Sequence, residues 1–142
     1  MKNVLKLGLV AIAACGLLFT SCKKDDKSPT EILANGSWKL SKDESKLSTS
    51  STWTNLTIES CTADDFTVYS TSGSYTTDEG ATKCDPLDDQ TTTGAWTVSS
   101  DGKTMTVDGI AFTSEISEDK VVLTLVNFLG LGEDERFTFV QK

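Results

Sequence analysis

The feature that most constrains the fold is a succession of short β-prone runs, separated by turn signals, from residue 37 to the end of the chain. Valine, isoleucine, threonine and aromatic residues dominate these runs, as they do in strands. No long helix is indicated by the spacing of the apolar residues. The runs are SWKLS, NLTIES, FTVYS, SYTT, AWTV, KTMTV, IAFTSEI, VVLTLV and RFTFV. The sequence therefore predicts an all-β domain of eight or nine antiparallel strands, arranged as a barrel or a sandwich.

Alternation within the runs indicates which side chains share a face. Trp38 and Leu40 lie on one face of the first run, and Phe137 and Phe139 on one face of the last. Between two of the middle runs, Asp101-Gly102 suits a tight hairpin turn. These signals favour neighbouring strands that are joined by short connections.

A single helical turn is predicted before the first strand. Ser28 can cap it, Pro29 suits its first position, and Glu31 completes a capping box with Ser28. The rest of the domain is predicted to be strand and turn.

The first 21 residues are organised like a secretory signal peptide. Lys2 and Lys6 give a basic start, and residues 7–19 carry no charge. This apolar run is shorter than the roughly 20 residues that span a bilayer. A basic start, a short apolar core and small residues at its end predict that residues 1–21 are an export signal that is removed.

Cys22 follows the small residues Thr20 and Ser21, with Leu18 shortly before them. This arrangement resembles the lipobox of bacterial lipoproteins, in which the cysteine is acylated and becomes the first residue of the mature chain. The resemblance implies a membrane anchor on Cys22 and an outer-membrane lipoprotein, since two or three acyl chains give lasting attachment. The alternative is an ordinary signal peptide with an incidental cysteine.

Residues 22–30 are charged and lack large apolar side chains, which predicts a flexible, lipidated tether before a domain of residues 31–142. The order Cys-Lys-Lys-Asp-Asp also resembles the export signal of some Gram-negative surface lipoproteins, and so implies exposure at the cell surface. A solvated linker with no such signal is the alternative.

Charge and composition exclude several kinds of function. The signal removes Lys2 and Lys6 and no acid, so the mature chain has 11 basic and 21 acidic residues, a balance of −10. That balance argues against nucleic acid and anionic headgroups as direct partners. The chain has no histidine, which removes the usual general base and the commonest metal ligand.

The four cysteines are assigned by their place in the chain. Cys15 leaves with the signal and Cys22 takes the lipid, so Cys61 and Cys84 remain in an exported domain. An oxidising compartment favours a disulfide between them. A metal site is the rival interpretation, but two cysteines without histidine make a poor zinc site.

The order of several small motifs resembles the lipocalin-like lipoproteins of Gram-negative outer membranes. Gly36-Ser37-Trp38, after a helical turn, is similar to the Gly-x-Trp signature of lipocalins. The further motifs are Cys61, Asp64-Asp65-Phe66, Gly73-Ser74-Tyr75, Cys84, Gly94-Ala95-Trp96 and Asp101-Gly102-Lys103. The resemblance covers residues 31–142 and implies an up-and-down, lipocalin-like barrel of about eight strands.

The resemblance also implies a role for Arg136, the one arginine of the chain. Lipocalins place a basic residue near the last strand, packed over the tryptophan of the first. Arg136 is therefore expected to cover Trp38 by a cation–π contact. The alternative is a surface arginine that balances the acids of residues 133–135.

No catalytic constellation or cofactor site is evident. The paired acids Asp64-Asp65, Asp78-Glu79 and Asp88-Asp89 lie in polar, turn-like segments, where solvated loop charge is the better interpretation. The segment from Cys84 to Asp89 lacks the spacing of a calcium loop. We therefore expect neither an enzyme nor a bound metal or cofactor.

Two functions remain as hypotheses. The first is a binding module that holds a small apolar or amphipathic molecule inside the barrel, because eight-stranded barrels can hold one small ligand. The residues expected to line or fill the interior are Trp38, Phe66, Trp96, Phe112 and Phe137. The second is a non-catalytic accessory subunit at the outer membrane, with a protein partner contacted through Phe128, Leu129 and Leu131.

Overall fold

The alternating runs form strands that close on themselves. The computed structural model describes residues 27–127 and 130–142. The elements are α1 (Pro29–Ala34), β1 (Ser37–Leu47), β2 (Thr54–Asn55), β3 (Phe66–Tyr69), β4 (Ser74–Asp78), β5 (Thr91–Val98), β6 (Thr104–Val107), β7 (Ile110–Ile116), β8 (Lys120–Leu125) and β9 (Glu133–Gln141).

The strands form one antiparallel sheet in the order β2-β1-β3-β4-β5-β6-β7-β8-β9, and β9 also pairs with β1. This last pairing closes an eight-stranded, up-and-down barrel, which confirms the predicted all-β, lipocalin-like fold. The short β2 is not one of these eight strands. It pairs with Glu44 and Ser45 near the end of β1, whereas β3 pairs with Ser37 and Trp38 at the start of β1. The predicted strand over NLTIES is reduced to Thr54–Asn55.

The helical turn forms as its cap predicts. The Ser28 hydroxyl accepts a hydrogen bond from the backbone N–H of Glu31, and the Glu31 carboxylate accepts one from the backbone N–H of Ser28. Residues 28–30, which the sequence places in the tether, thus belong to the cap and first turn of α1.

Because the strands run up and down, the connections alternate between two ends of the barrel. One end carries α1 and the hairpins β3–β4, β5–β6 and β7–β8; we call it the closed end. There Leu33 of α1 is fully buried, and Lys27 pairs with Glu118 at 2.9 Å. The other end carries the connections at residues 48–65, 79–90 and 108–109 and the described parts, 126–127 and 130–132, of the connection between β8 and β9; we call it the mouth.

The buried core lies toward the closed end. Its members are Leu33, Trp38, Tyr69, Trp96, Met105, Val121 and Leu123. The indole N–H of Trp38 donates to the carbonyl of Leu33 at 2.8 Å. That bond satisfies one of the carbonyls that the end of a short helix leaves open, and it fixes α1 to the first strand.

An irregularity in β1 decides which side chains enter the barrel. The register with β9 shifts between Leu40 and Lys42, as it does where a bulge adds one residue to a strand. Leu40 lies opposite Phe139 before the shift, and Asp43 lies opposite Phe137 after it. The inward positions therefore change from even to odd numbers, and Asp43 faces the interior.

Cys61 and Cys84 lie at disulfide distance, with Cα atoms 5.0 Å apart, as the sequence predicts. The bond joins the segment before β3 to the β4–β5 connection. It therefore ties together two connections at the mouth, the one before β3 and the one after β4.

Candidate ligand cavity

A cavity of about 280 Å³ lies inside the barrel, on the mouth side of the buried core. Six strands contribute side chains to it. Its lining residues are Thr67, Tyr69, Tyr75, Thr77, Val107, Phe112, Leu123, Phe137 and Phe139. The wall is mainly aromatic and aliphatic, with a few hydroxyl groups, which is the usual character of a small-molecule site.

The aromatic rings of the wall support one another. Phe112 and Phe137 meet edge to face with centroids 6.5 Å apart, and Tyr69 and Tyr75 lie 6.1 Å apart. Such tilted pairs hold rings in defined positions. Thr67 and Thr77, opposite each other on β3 and β4, share a hydrogen bond of 2.9 Å between their hydroxyls.

Gly94 makes room for the ring of Tyr75. These residues lie opposite each other on β5 and β4, and a Cβ at Gly94 would fall 2.5 Å from the Tyr75 ring. The Tyr75 hydroxyl donates to Asp108 in the β6–β7 turn. This hydrogen bond, with burial and the charge of the carboxylate, raises the pKa of Tyr75 to about 12.

Acidic side chains follow the apolar wall toward the mouth. Asp43 lies opposite Phe137 across β1 and β9, and Glu135 and Glu133 occupy the next two inward positions of β9. Burial raises the pKa of Asp43; a hydrogen bond from the backbone of Glu44 lowers it, but the nearby charge of Glu44 adds to the effect of burial and the net shift is upward. Burial, and then the charges of Asp43 and Glu133, raise the pKa of Glu135.

Arg136 does not cover Trp38; that prediction is wrong. Its guanidinium lies 4.2 Å from the ring centroid of Trp53, in the connection after β1. Antiparallel pairing is the reason: the start of β9 meets the end of β1, where Arg136 is opposite Glu44. Trp38 is six residues away along β1, or roughly 20 Å.

Glu44 holds Arg136 on the outer wall. Arg136 donates to one carboxylate oxygen of Glu44 from Nε at 2.8 Å and pairs with it through Nη2 at 2.7 Å, while Lys42 approaches the other oxygen at 2.7 Å. Burial would raise the pKa of Glu44, but the hydrogen bonds from Lys42 and Arg136 outweigh it and lower that pKa.

Phe66 does not face the interior, contrary to the sequence prediction. Thr67 and Tyr69 of the same strand line the cavity, so Phe66 and Val68 point outward. The Lys142 ammonium lies 3.7 Å from the ring centroid of Phe66 on that outer wall. β3 carries two aromatic residues, Phe66 and Tyr69, on opposite faces. The sequence prediction assigned Phe66 to the interior, whereas Tyr69 is the one that lines the cavity.

The other four predicted interior residues divide into two groups. Phe112 and Phe137 line the cavity. Trp38 and Trp96 are buried below it at the closed end, and the Trp96 indole N–H donates to the carbonyls of Ser70 and Ser74. Both tryptophans close the floor of the barrel and are not part of the cavity lining.

Sequence reasoning missed most of the wall. Tyr69 and Tyr75 belong to runs that the sequence predicts as strands. Alternation places Tyr69 on the face opposite to Phe66 and Val68, but it does not say which of the two faces is the inner one. Asp43 gave no signal from alternation, because the bulge in β1 sets its face, whereas Glu135 shares the alternation of Phe137 and Phe139. Trp53 lies outside any predicted strand.

The partner surface expected from the sequence is only partly within the described chain. Leu131 is 70% exposed in the β8–β9 connection at the mouth. Phe128 and Leu129 lie outside the described residues. Other exposed large apolar side chains at the mouth are Leu47, Leu56, Leu87, Ile110 and Val126.

Cys22 also lies outside the described residues. Within residues 27–127 and 130–142, no helix has the length and hydropathy needed to cross a bilayer. In the same part of the chain, no three histidine, cysteine, aspartate or glutamate side chains are grouped as a metal site would require.

Comparisons with protein-family models, curated proteins and solved structures found no match to this chain. The candidate function consequently depends on the geometry of the barrel and on the resemblance of its sequence motifs.

Proposed function

We propose that the protein is a lipid-anchored binding module of the cell envelope, which holds one small apolar or amphipathic molecule in its barrel. The observation that carries the proposal is the cavity of about 280 Å³ with its aromatic wall. This volume is near the lower end of the roughly 300–1,000 Å³ of small-molecule sites, so it suits a single compact ligand.

The orientation of the barrel is compatible with this function. Lys27, the first described residue, pairs with Glu118 at the closed end. A tether that ends there would direct the mouth away from the membrane that holds the lipid. The cavity would then be open to molecules that arrive from the surrounding medium.

Filling the cavity is the most direct mutational test of this function. Thr67→Trp replaces a lining residue with a large side chain, whereas Val68→Trp adds the same side chain to the outer face of the same strand. With 2-(1-naphthyl)ethanol as the probe, calorimetry is expected to show saturable binding of about one molecule per chain. We expect Thr67→Trp to weaken it at least about tenfold, since a filled pocket cannot bury the ligand's surface.

Val68→Trp is expected to bind like the parent protein. Circular dichroism and thermal unfolding would establish that both variants are folded. Equal binding by the two folded variants, or no saturable binding by the parent, would contradict the proposed cavity function.

The anchor is tested separately, by Cys22→Ala. Without a thiol to acylate, the variant is expected to remain unprocessed or to leave the membrane fraction. Its distribution between soluble and membrane fractions, with its mass, measures this. A correctly processed Cys22→Ala protein that stayed in the membrane fraction would show that Cys22 carries no anchor.

A second candidate function is that of a non-catalytic accessory subunit at the outer membrane. It is favoured by the exposed apolar side chains at the mouth, of which Leu87 is 92% and Leu131 70% exposed. Exposed apolar surface of this kind often marks a partner site. This function predicts that a partner binds both the Thr67→Trp and the Val68→Trp variants.

A further inference from the structure

Positive and negative side chains are separated across the wall formed by β1 and β9. Each cation of these strands faces outward: Lys39 is opposite Val140, Lys42 is opposite Thr138, Lys46 is opposite Asp134, and Arg136 is opposite Glu44. The inward positions between them hold Asp43, Glu133 and Glu135. Three of these outer cations are paired, since Arg136 and Lys42 bind Glu44 and Lys46 binds Asp134 at 3.0 Å.

Within the described strands, the inner face carries no cation beside these inward acids. By register, the inward positions of β3 to β8 carry apolar, aromatic, glycine, serine and threonine residues, and no lysine or arginine in the described strands. Asp43 Oδ1 is buried and accepts no hydrogen bond within the described chain, as is also true of Oδ1 of Asp64 and Asp65 in the connection before β3. Asp43 is opposite Phe137, which lines the cavity. Asp43 therefore lies at the edge of the aromatic wall.

We infer that the ligand of the cavity is a cationic amphipath, whose apolar body contacts the aromatic wall and whose ammonium group is bound by Asp43 and Glu135. The inference rests on the proposed binding function. A cation at this place would supply the missing donor to Asp43 Oδ1 and would relieve the repulsion among three carboxylates. Both acids are half-buried, so such a contact is stronger than it would be in bulk water.

Two other acids of the mouth have partners of their own. Asp108 is already engaged, because one carboxylate oxygen accepts from Tyr75 and the other from the backbone N–H of Ala95. Asp134 faces outward and binds Lys46, Ser48 and the backbone of Asn127. The inward acids beside Phe137 are Asp43 and Glu135, with Glu133 further toward the solvent, and these are the two expected to recognise the ligand.

Three probes of one shape test this inference: 2-(1-naphthyl)ethylamine, 2-(1-naphthyl)ethanol and 1-naphthylacetate. They carry a cation, a neutral group and an anion on the same ring system. The amine is expected to bind at least about tenfold more tightly than the alcohol, as a charge-assisted hydrogen bond would give. The carboxylate is expected to bind most weakly, because it meets like charges.

The variants Asp43→Asn and Glu135→Gln, alone and together, should remove the preference for the amine while the affinity for the alcohol stays within about threefold. Glu115→Gln on the outer face of β7 is the matched control, because it removes one negative charge from an exposed position. It should retain the preference.

The outcomes separate the two proposals. Binding of the alcohol with no preference for the amine, or a preference that persists in the double variant, would overturn the cationic ligand and leave the binding module standing. Failure of all three probes to bind saturably would overturn both.

Discussion

At the scale of single residues, position in the register decides the role of each aromatic side chain. Trp38 is 1% exposed and bonds to the last turn of α1, while Phe137 lines the cavity and Phe66 lies on the outer wall. The burial of Trp38 could be predicted, because Gly36-Ser37-Trp38 begins an alternating strand. The outward face of Phe66 could not, because both faces of a four-residue strand carry an aromatic residue.

Trp38→Ala is expected to lower the free energy of unfolding by about 3–5 kcal/mol, as the loss of a large buried aromatic does. The cavity it leaves would lie between α1 and β1, and the carbonyl of Leu33 would lose its donor. Urea unfolding measures the change. Leu87→Ala, at an exposed position, should change the same quantity by no more than about 0.5 kcal/mol. A loss of under about 1 kcal/mol in Trp38→Ala would show that Trp38 is not part of the core.

At the scale of elements, the strands were predictable and their offsets were not. Alternation and turn signals gave the number of strands, because both are local properties of the sequence. The bulge near Ser41 and the loss of most of the NLTIES strand depend on pairing across the sheet. The same offsets determine that Arg136 meets Trp53 and that Asp43 faces inward.

The disulfide acts on two connections at the mouth. Opening it in the double variant Cys61→Ser, Cys84→Ser should lower the free energy of unfolding by roughly 3 kcal/mol, because the bond closes a loop of about 24 residues and so restricts the unfolded chain. Urea unfolding with and without a reducing agent measures it. The reductant should destabilise the parent protein and leave the variant unchanged. Free thiols at both positions in unreduced parent protein would contradict the bond.

At the scale of the whole molecule, the barrel has two unlike ends. The closed end holds α1, both buried tryptophans and the start of the described chain, while the mouth holds the disulfide, the inward acids and the exposed apolar side chains. The sequence motifs were sufficient to predict a barrel of about eight strands. They did not reveal whether its interior is filled, because that depends on the summed packing of side chains from six strands.

Methyl NMR gives the most direct measurement of the central claim, that the interior binds one small molecule. With valine and leucine methyl groups labelled, 2-(1-naphthyl)ethanol should shift the resonances of Val107 and Leu123, which line the cavity. Val68 on the outer wall and Leu131 at the mouth should change little. Saturable shifts at Val107 and Leu123 are the result expected. Shifts confined to Val68, Leu131 or other exposed methyl groups would contradict a ligand-binding interior and favour a partner surface at the mouth.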